Sequence, residues 1–179
     1  MAGGLLAELR ERIDVRPDAA CRELKRYDHL LRAGDRDLDV YLVREGTLRA
    51  YRIIAGEEQI IRFGYAGDFI FAVDAFLSGQ PTEVYVQAIR ACKLTVIPAD
   101  RLRALADGGG EDGRLWRRVL RWLILGFQER EVDLLTPRPE DRYRRVLERS
   151  PRLFQEIPLK YIANYLRMSP ETLSRIRKS

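Results

Sequence analysis

The sequence predicts an α+β fold: an N-terminal antiparallel β-roll, one long helix, and a C-terminal all-α helix-turn-helix. Three observations predict it. From about Tyr27 to Pro98, short runs rich in β-branched and aromatic residues alternate with glycine-centred turns, the spacing of an antiparallel barrel or roll. From Arg114 to Leu135, apolar residues recur at three- and four-residue steps with no proline and one glycine, Gly126, the mark of a single long helix. Ile157–Ser179 (IPLKYIANYLRMSPETLSRIRKS) carries two short helical patterns around a tight turn.

Strands are expected at Val40–Val43, Thr47–Ile54, Gln59–Phe63, Phe69–Val73, Glu83–Ala88 and Lys93–Ile97, with turns at Gly34, Gly46, Gly56, Gly67 and Gly79. Asp100–Leu105 reads as a short helix, closed by the breaker Asp107 to Gly110. In the long helix, Trp116, Val119, Leu120, Leu123, Phe127 and Leu134 make a coiled-coil-like seam. Leu115, Trp122, Ile124 and Leu125 make a second face apolar as well. A helix apolar on two faces must bury against two things. The expectation is the β-roll on one side and a symmetry mate on the other, through Trp116, Leu120, Leu123, Phe127 and Leu134; the alternative is a helix buried within a monomer. After the break at Thr136 to Pro139, Glu140–Arg149 forms a helix with Tyr143, Val146 and Leu147 on its apolar side, and Pro151 ends it. The expected organisation is a sensor roll at residues 1–110, a dimerisation helix at 111–136 and a helix-turn-helix domain at 137–179.

Within that last region, Ile162, Ala163 and Leu166 give the first helix its small and apolar face, Met168 fills the turn, and Leu173 and Ile176 continue the apolar side. Ser169 stands where an N-cap belongs, with Pro170 at the first helical position. Ser satisfies an orphan amide, and Pro loses nothing there. Glu171, Thr172, Ser174, Arg175 and Lys178 are left to face DNA, as the second helix of a helix-turn-helix does. An amphipathic pair that binds nothing is the bland alternative. Charge weighs against it: Pro137–Ser179 holds eleven Lys/Arg against five Asp/Glu, a net of +6 in a chain of +5, so Met1–Thr136 is −1. The basic excess belongs to the C-terminal quarter, the footprint of phosphate contact.

Composition narrows the function classes. At 46% apolar and 33% charged the chain is globular, with no signal peptide and no membrane-spanning run, so a cytoplasmic protein is expected. Two cysteines, Cys21 and Cys92, suggest neither a disulfide framework nor a four-Cys metal cluster, and one histidine, His29, leaves little for a zinc site or a triad. No nucleophile–base set and no P-loop is present, which argues against an enzyme.

The ordered set Val43–Leu48 (VREGTL), Gly67–Ile70 (GDFI), Phe76–Pro81 (FLSGQP), Val86–Ile89 (VQAI) and Tyr161–Arg177 resembles the cyclic-AMP receptor protein/fumarate-nitrate regulator superfamily of bacterial transcription factors. The ending looks like the branch common in Bacteroidetes-type genomes. The resemblance implies a cyclic-nucleotide-binding-like jelly roll, a homodimer, a palindromic double-stranded DNA operator, and RNA polymerase as a further candidate partner. It also implies that Glu171 and Arg175 read bases. Arg can make a bidentate pair to guanine, and Glu can accept from cytosine. Ser169, Thr172, Lys178, Lys160 and Tyr161 are then placed for phosphates. Pro170 stands where relatives often carry arginine. Arg167 stands where glycine is usual, which predicts a strained left-handed residue or an altered turn. The sequence shows no β-wing after the recognition helix.

In the sensor, resemblance and chemistry diverge. Cyclic-nucleotide binders of this superfamily place a Gly-Glu pair soon after Gly67–Phe69 and an Arg-Ser or Arg-Thr pair later. Here Phe71 and Ala72 hold the first place, and Thr82 and Glu83 the second. Asp74 is a candidate for the ribose acid; Arg62 and Arg90 are the nearby arginines, neither at the motif position. A carboxylate beside a phosphate costs Coulomb energy, so tight cyclic-AMP binding is not expected. Gly67, Asp68, Phe71, Ala72, Asp74, Thr82, Glu83 and Tyr85 mark the degenerate pocket. Its lining by Phe71, Val73, Phe76 and Tyr85 suggests an apolar small-molecule effector or a pocket filled by its own side chains. An iron–sulfur sensor needs about four thiolates. Cys21 and His29 could reach one haem, but such a lone pair is ordinarily just packed. Two readings remain: a DNA-binding regulator, or a ligand-sensing or interaction module that no longer reads DNA.

Overall fold

The computed structural model describes residues 2–13, 15 and 19–178; Ser179, the last residue of the expected DNA-reading segment, lies outside them. The chain divides into two compact units, Met1–Arg52 with Arg62–Trp122, and Ile53–Ile61 with Leu123–Ser179.

Among the described residues, eight strands form two four-stranded sheets. One has the order β1 (Cys21–Leu24), β8 (Cys92–Ile97), β3 (Val40–Glu45), β6 (Phe69–Ile70). The other has the order β2 (His29–Leu31), β7 (Tyr85–Ala88), β4 (Thr47–Ile54), β5 (Glu57–Tyr65). The expected antiparallel roll is therefore present. Period-two alternation builds its core. Tyr41 and Val43 of β3, Leu48 of β4, Val86 and Ala88 of β7 and Leu94 of β8 converge there. The intervening Val40 and Leu42 are buried as well, so β3 is covered on both faces. Gly46, between β3 and β4, has φ +91°, and a Cβ there would meet the Ala91 carbonyl oxygen at 2.2 Å. Both the backbone conformation and the close approach require glycine.

Helix α1 (Ala2–Arg12) buries Leu5 and Leu9, followed by Ile13, a four-residue stripe. Its charges reach α4 (Gly110–Leu135): Arg12 pairs with Asp112, and Glu8 with Arg118 at 2.7 Å. The order 8 to 118 and 12 to 112 makes the two helices antiparallel. Between β6 and β7 lies α2 (Val73–Ser78), closed by Gly79 at φ 70°; α3 (Ala99–Asp107) follows β8. The expected strand Phe69–Val73 thus stops at Ile70, because Val73 opens a helix whose Asp74 carboxylate accepts the Ala75 N–H at 3.0 Å.

The second unit holds α5 (Pro139–Arg149), α6 (Pro151–Glu156), α7 (Leu159–Tyr165) and α8 (Pro170–Lys178). Pro151 ends α5 as expected and also opens α6, where a proline costs nothing in the first turn. Val146, Leu153, Ile157, Ile162, Ala163, Leu166 and Leu173 are among its buried apolar residues, and Tyr143 meets Phe154 edge-on with centroids 5.0 Å apart. The tip of the β4–β5 hairpin belongs to this unit. Asn164 of α7 accepts the Ile60 N–H at Oδ1 and donates from Nδ2 to the Glu58 carbonyl, both at 2.8 Å.

The expected seam along α4 needs correction. Trp116 (8% exposed) and Leu123 (4%) are buried within their own chain, Trp116 edge-on to Phe76 at 5.6 Å. Trp122, Ile124, Leu125, Phe127, Val132, Leu134 and Leu135 are exposed on α4 and Leu120 is half-buried; of these, Leu120, Ile124, Phe127 and Leu134 recur at spacings of four, three and seven.

Candidate nucleic-acid interface and sensor pocket

The α7–α8 turn is a Schellman closure. Leu166 caps α7, the Met168 N–H donates to Ala163 O at 3.1 Å, and the Arg167 N–H donates to Asn164 O at 3.1 Å. Such a closure needs a left-handed residue after the cap, and Arg167 has φ 56°. The left-handed arginine expected at this turn is therefore observed. Two guanidiniums meet the turn: Arg130 of α4 donates to Tyr165 O, which the motif leaves over, and Arg142 of α5 donates to Arg167 O at 3.3 Å. Burial pushes the Arg130 guanidinium below its ordinary value, opposed by Tyr165 and Asp133.

Helix α8 begins as the sequence suggests. The Thr172 N–H donates to Ser169 Oγ at 3.2 Å, and Pro170 follows the cap. Leu173 is fully buried, which turns Glu171, Arg175 and Lys178 outward. Thr172 and Ser174 flank them half-buried; Ser169, Pro170 and Lys160 are exposed. The Glu171 carboxyl is held below its ordinary value by its own backbone N–H first, then by Ser169 and by Arg175 one turn on. It therefore stays an acceptor-only group at neutral pH. Tyr161 is the correction: it is 8% exposed, inside the unit. The cation at Lys160, 4.7 Å over its ring, is what α7 presents to solvent. A groove of about 660 Å³ runs between α5 and α8, lined by Glu140, Tyr143, Arg144, Leu147, Thr172, Arg175 and Ile176. Arg144 thus flanks α8, a neighbour that sequence spacing did not reveal.

In the first unit, seven of the eight residues expected to mark a degenerate pocket fall into three groups. Gly67 and Asp68 build a turn: the Gly67 N–H donates to Val43 O at 2.9 Å, and Asp68 Oδ2 accepts the Tyr65 N–H at 2.9 Å. Phe71 and Phe76 meet edge-on at 5.8 Å, beside the buried Ala72. Asp74, Thr82 and Glu83 join in one network. The Asp74 carboxylate accepts the Thr82 hydroxyl at 2.8 Å and the Glu83 N–H at 2.9 Å. Arg52 of β4 sits between the acids, 3.5 Å from Asp74 and 2.8 Å from Glu83. Desolvation works to raise the Asp74 carboxyl, but these hydrogen bonds and Arg52 outweigh it and leave it below its ordinary value. The arginine of this site is thus Arg52. Of the two expected candidates, Arg62 lies 5.9 Å from the Trp122 ring and Arg90 is exposed. Tyr85 also leaves the pocket set. It stacks on Tyr51 at 5.1 Å, on the face of β7 opposite the core residues Val86 and Ala88. His29 Nε2 is 2.9 Å from the Tyr51 hydroxyl. Cys21 lies exposed in the other sheet.

The cyclic nucleotide-binding domain family matches residues 21–108, the segment that carries this network. The fumarate and nitrate reduction regulatory protein of Vibrio cholerae is 29% identical over 170 residues, covering 87% of this chain and 66% of that protein. That of Escherichia coli K12 is 32% identical over 162 residues, covering 82% and 63%. Over most of its length the chain is similar to these regulatory proteins. It spans just under two thirds of the length of these relatives. The fold agrees with a solved structure: FixK2 from Bradyrhizobium japonicum superposes with a TM-score of 0.73 at 22% identity, over 89% of this chain and 83% of that one. Among the described residues, no helix is long and apolar enough to cross a membrane.

Proposed function

We propose that this chain is a homodimeric, DNA-binding transcription regulator of the superfamily, acting in the cytoplasm. Residues 1–110 serve as the sensor, 111–136 as the dimerisation helix and 137–179 as the DNA reader; binding, not catalysis, is its activity. The observation that carries the reading is α8: a Ser169-capped helix that buries Leu173 and turns Glu171, Arg175 and Lys178 outward, in a segment of net +6. The regulatory proteins it resembles support the same reading. Arg175 and Glu171 read base edges, while Ser169, Thr172, Ser174, Lys178 and Lys160 hold phosphates, so a palindromic operator presents half-sites about 34 Å apart. The exposed row on α4 supplies the seam for a second copy.

Binding to DNA is expected to weaken steeply with salt, as phosphate neutralisation requires. Arg175→Ala is expected to relax base preference by about 1–3 kcal/mol, and Lys178→Ala to weaken all sequences alike and lower the salt slope by about one. Mobility shifts on a selected and a scrambled duplex read both. Binding that ignores salt would hand the chain to the second reading, a sensing or interaction module, which Pro170 and Arg167 favour.

The nucleotide pocket is degenerate in this reading. The groups at its phosphate end already bond each other, and a cyclic phosphate there would meet two carboxylates, Asp74 and Glu83, against one shared guanidinium, Arg52. Isothermal titration with cyclic AMP is expected to show no binding at micromolar concentration; a micromolar dissociation constant would refute the assignment. An effector of other chemistry, or none, follows.

A further inference from the structure

The α7–α8 turn combines two features that do not explain each other. Its Schellman closure forces Arg167 to φ 56°, a conformation that is strained for a side chain with a Cβ. The guanidiniums that meet the turn come from outside the helix pair. Arg142 is 8% exposed and forks: Nη1 donates to the Thr136 carbonyl, just past the end of α4, at 3.0 Å, and Nη2 donates to the Arg167 carbonyl at 3.3 Å. Arg130, on α4 itself, donates to the Tyr165 carbonyl while its guanidinium carbon lies 3.6 Å from the Tyr165 ring centroid.

We infer that Arg142, seconded by Arg130, is a positioning residue for DNA reading: its fork ties the last turn of α4 to the left-handed residue that sets α8 against α7. This rests on the DNA-reading assignment and names the device that orients the reader. A buried charge is retained at a desolvation cost, and a compact ammonium on a flexible stem lacks the rigid planar fork that holds two carbonyls at a fixed spacing. The orphan carbonyls of a helix end need donors, and a strained residue persists only where its surroundings over-determine it. Arg142 meets both needs with one group. Its hydrogen bonds go to Thr136 and Arg167, both outside α8, so it acts on the reader through the turn.

The test uses the full chain. Arg142→Met keeps the stem and deletes the fork. Competition between a duplex selected by the wild type from a randomised pool and a scrambled duplex is expected to show discrimination falling about tenfold, the loss of one charged hydrogen-bond set. Affinity for the scrambled duplex, carried by phosphate charge, stays within about twofold. The Met168 amide, which closes the Schellman turn, exchanges about tenfold faster. Arg142→Met/Arg167→Gly recovers most of both losses, because glycine holds the left-handed conformation unaided. A residue that merely packs α5 would not be rescued at position 167. Unchanged discrimination with unchanged exchange in Arg142→Met overturns the inference, as does a folded double variant no better than the single one. If Arg142→Met does not fold, Arg142→Lys carries the same comparison. A wild type that shows no discrimination removes the DNA reading instead, and the Met168 exchange in the single and double variants then decides the strut alone.

Discussion

Ile124→Glu is expected to halve the mass of the protein in light scattering and to lower its operator affinity at least about 100-fold, whereas Leu123→Ala, one residue earlier, should leave both in place. The contrast follows from where the two side chains lie. Leu123 is 4% exposed and Ile124 55%; adjacent helical residues point about 100° apart, so one belongs to its own chain and the other to the outward row with Leu120, Phe127 and Leu134. That row has the three–four spacing of a coiled-coil seam, and a run of large apolar side chains in water calls for a cover. At a twofold axis, the carboxylate introduced in each copy would face the same group on its mate, with desolvation added to like-charge repulsion. Losing the second reader removes the effective-concentration gain that links two half-sites, typically about 10²–10⁴. Leu123→Ala instead opens a cavity and costs about 2–5 kcal/mol of folding stability. A dimeric Ile124→Glu protein with wild-type DNA affinity would eliminate this seam.

The same pair of residues shows what a sequence can and cannot convey. Periodicity identifies the helix and its two apolar faces, because a face needs only local spacing. It does not say which face meets the chain's own body, and so it places Trp116 and Leu123 outward when they are buried. The roll is legible for a similar reason: six of its strands carry β-branched and aromatic runs between glycine turns. Strands β1 and β2 are not, because CREL and HLL are three or four residues long and owe their conformation to pairing with β8 and β7. In the candidate sites, Ser169, Pro170 and Arg167 are readable because caps and turns are local chemistry. Arg52 is not. It lies 22 and 31 positions from Asp74 and Glu83, and only the sheet brings it between them. Tyr161 misleads because its neighbour Lys160 is exposed and its hydroxyl suggests a phosphate contact, while the helix turns its ring inward.

Asn164→Ala is expected to release the β4–β5 hairpin tip, with the Ile60 amide exchanging roughly 30-fold faster or more, the equivalent of about 2 kcal/mol. No short-range pattern marks Asn164, which lies near the end of α7 between Ala163 and Tyr165. Yet its amide uses both ends on one strand: Oδ1 on the Ile60 N–H and Nδ2 on the Glu58 carbonyl. Ile60 is fully buried, so its N–H has little recourse to water when the acceptor is removed, and the cost exceeds that of an exposed bond. Asn164→Asp separates the two halves of the contact. The carboxylate keeps the acceptor for Ile60 but cannot donate to Glu58, and a negative charge near the C-terminus of α7 is unfavourable. Protonation restores a donor. The folded carboxyl is therefore raised above its unfolded value of about 3.9, so the added stability is complete below that value and is lost as pH rises through the folded one. Exchange at Ile60 in Asn164→Asp should accordingly slow on acidification, while in Asn164→Ala it should show only the intrinsic pH dependence of amide exchange. Equal behaviour of the two variants across pH would show that the Glu58 bond contributes nothing, and wild-type exchange in Asn164→Ala would show that the hairpin tip is held by the burial of Ile60 alone.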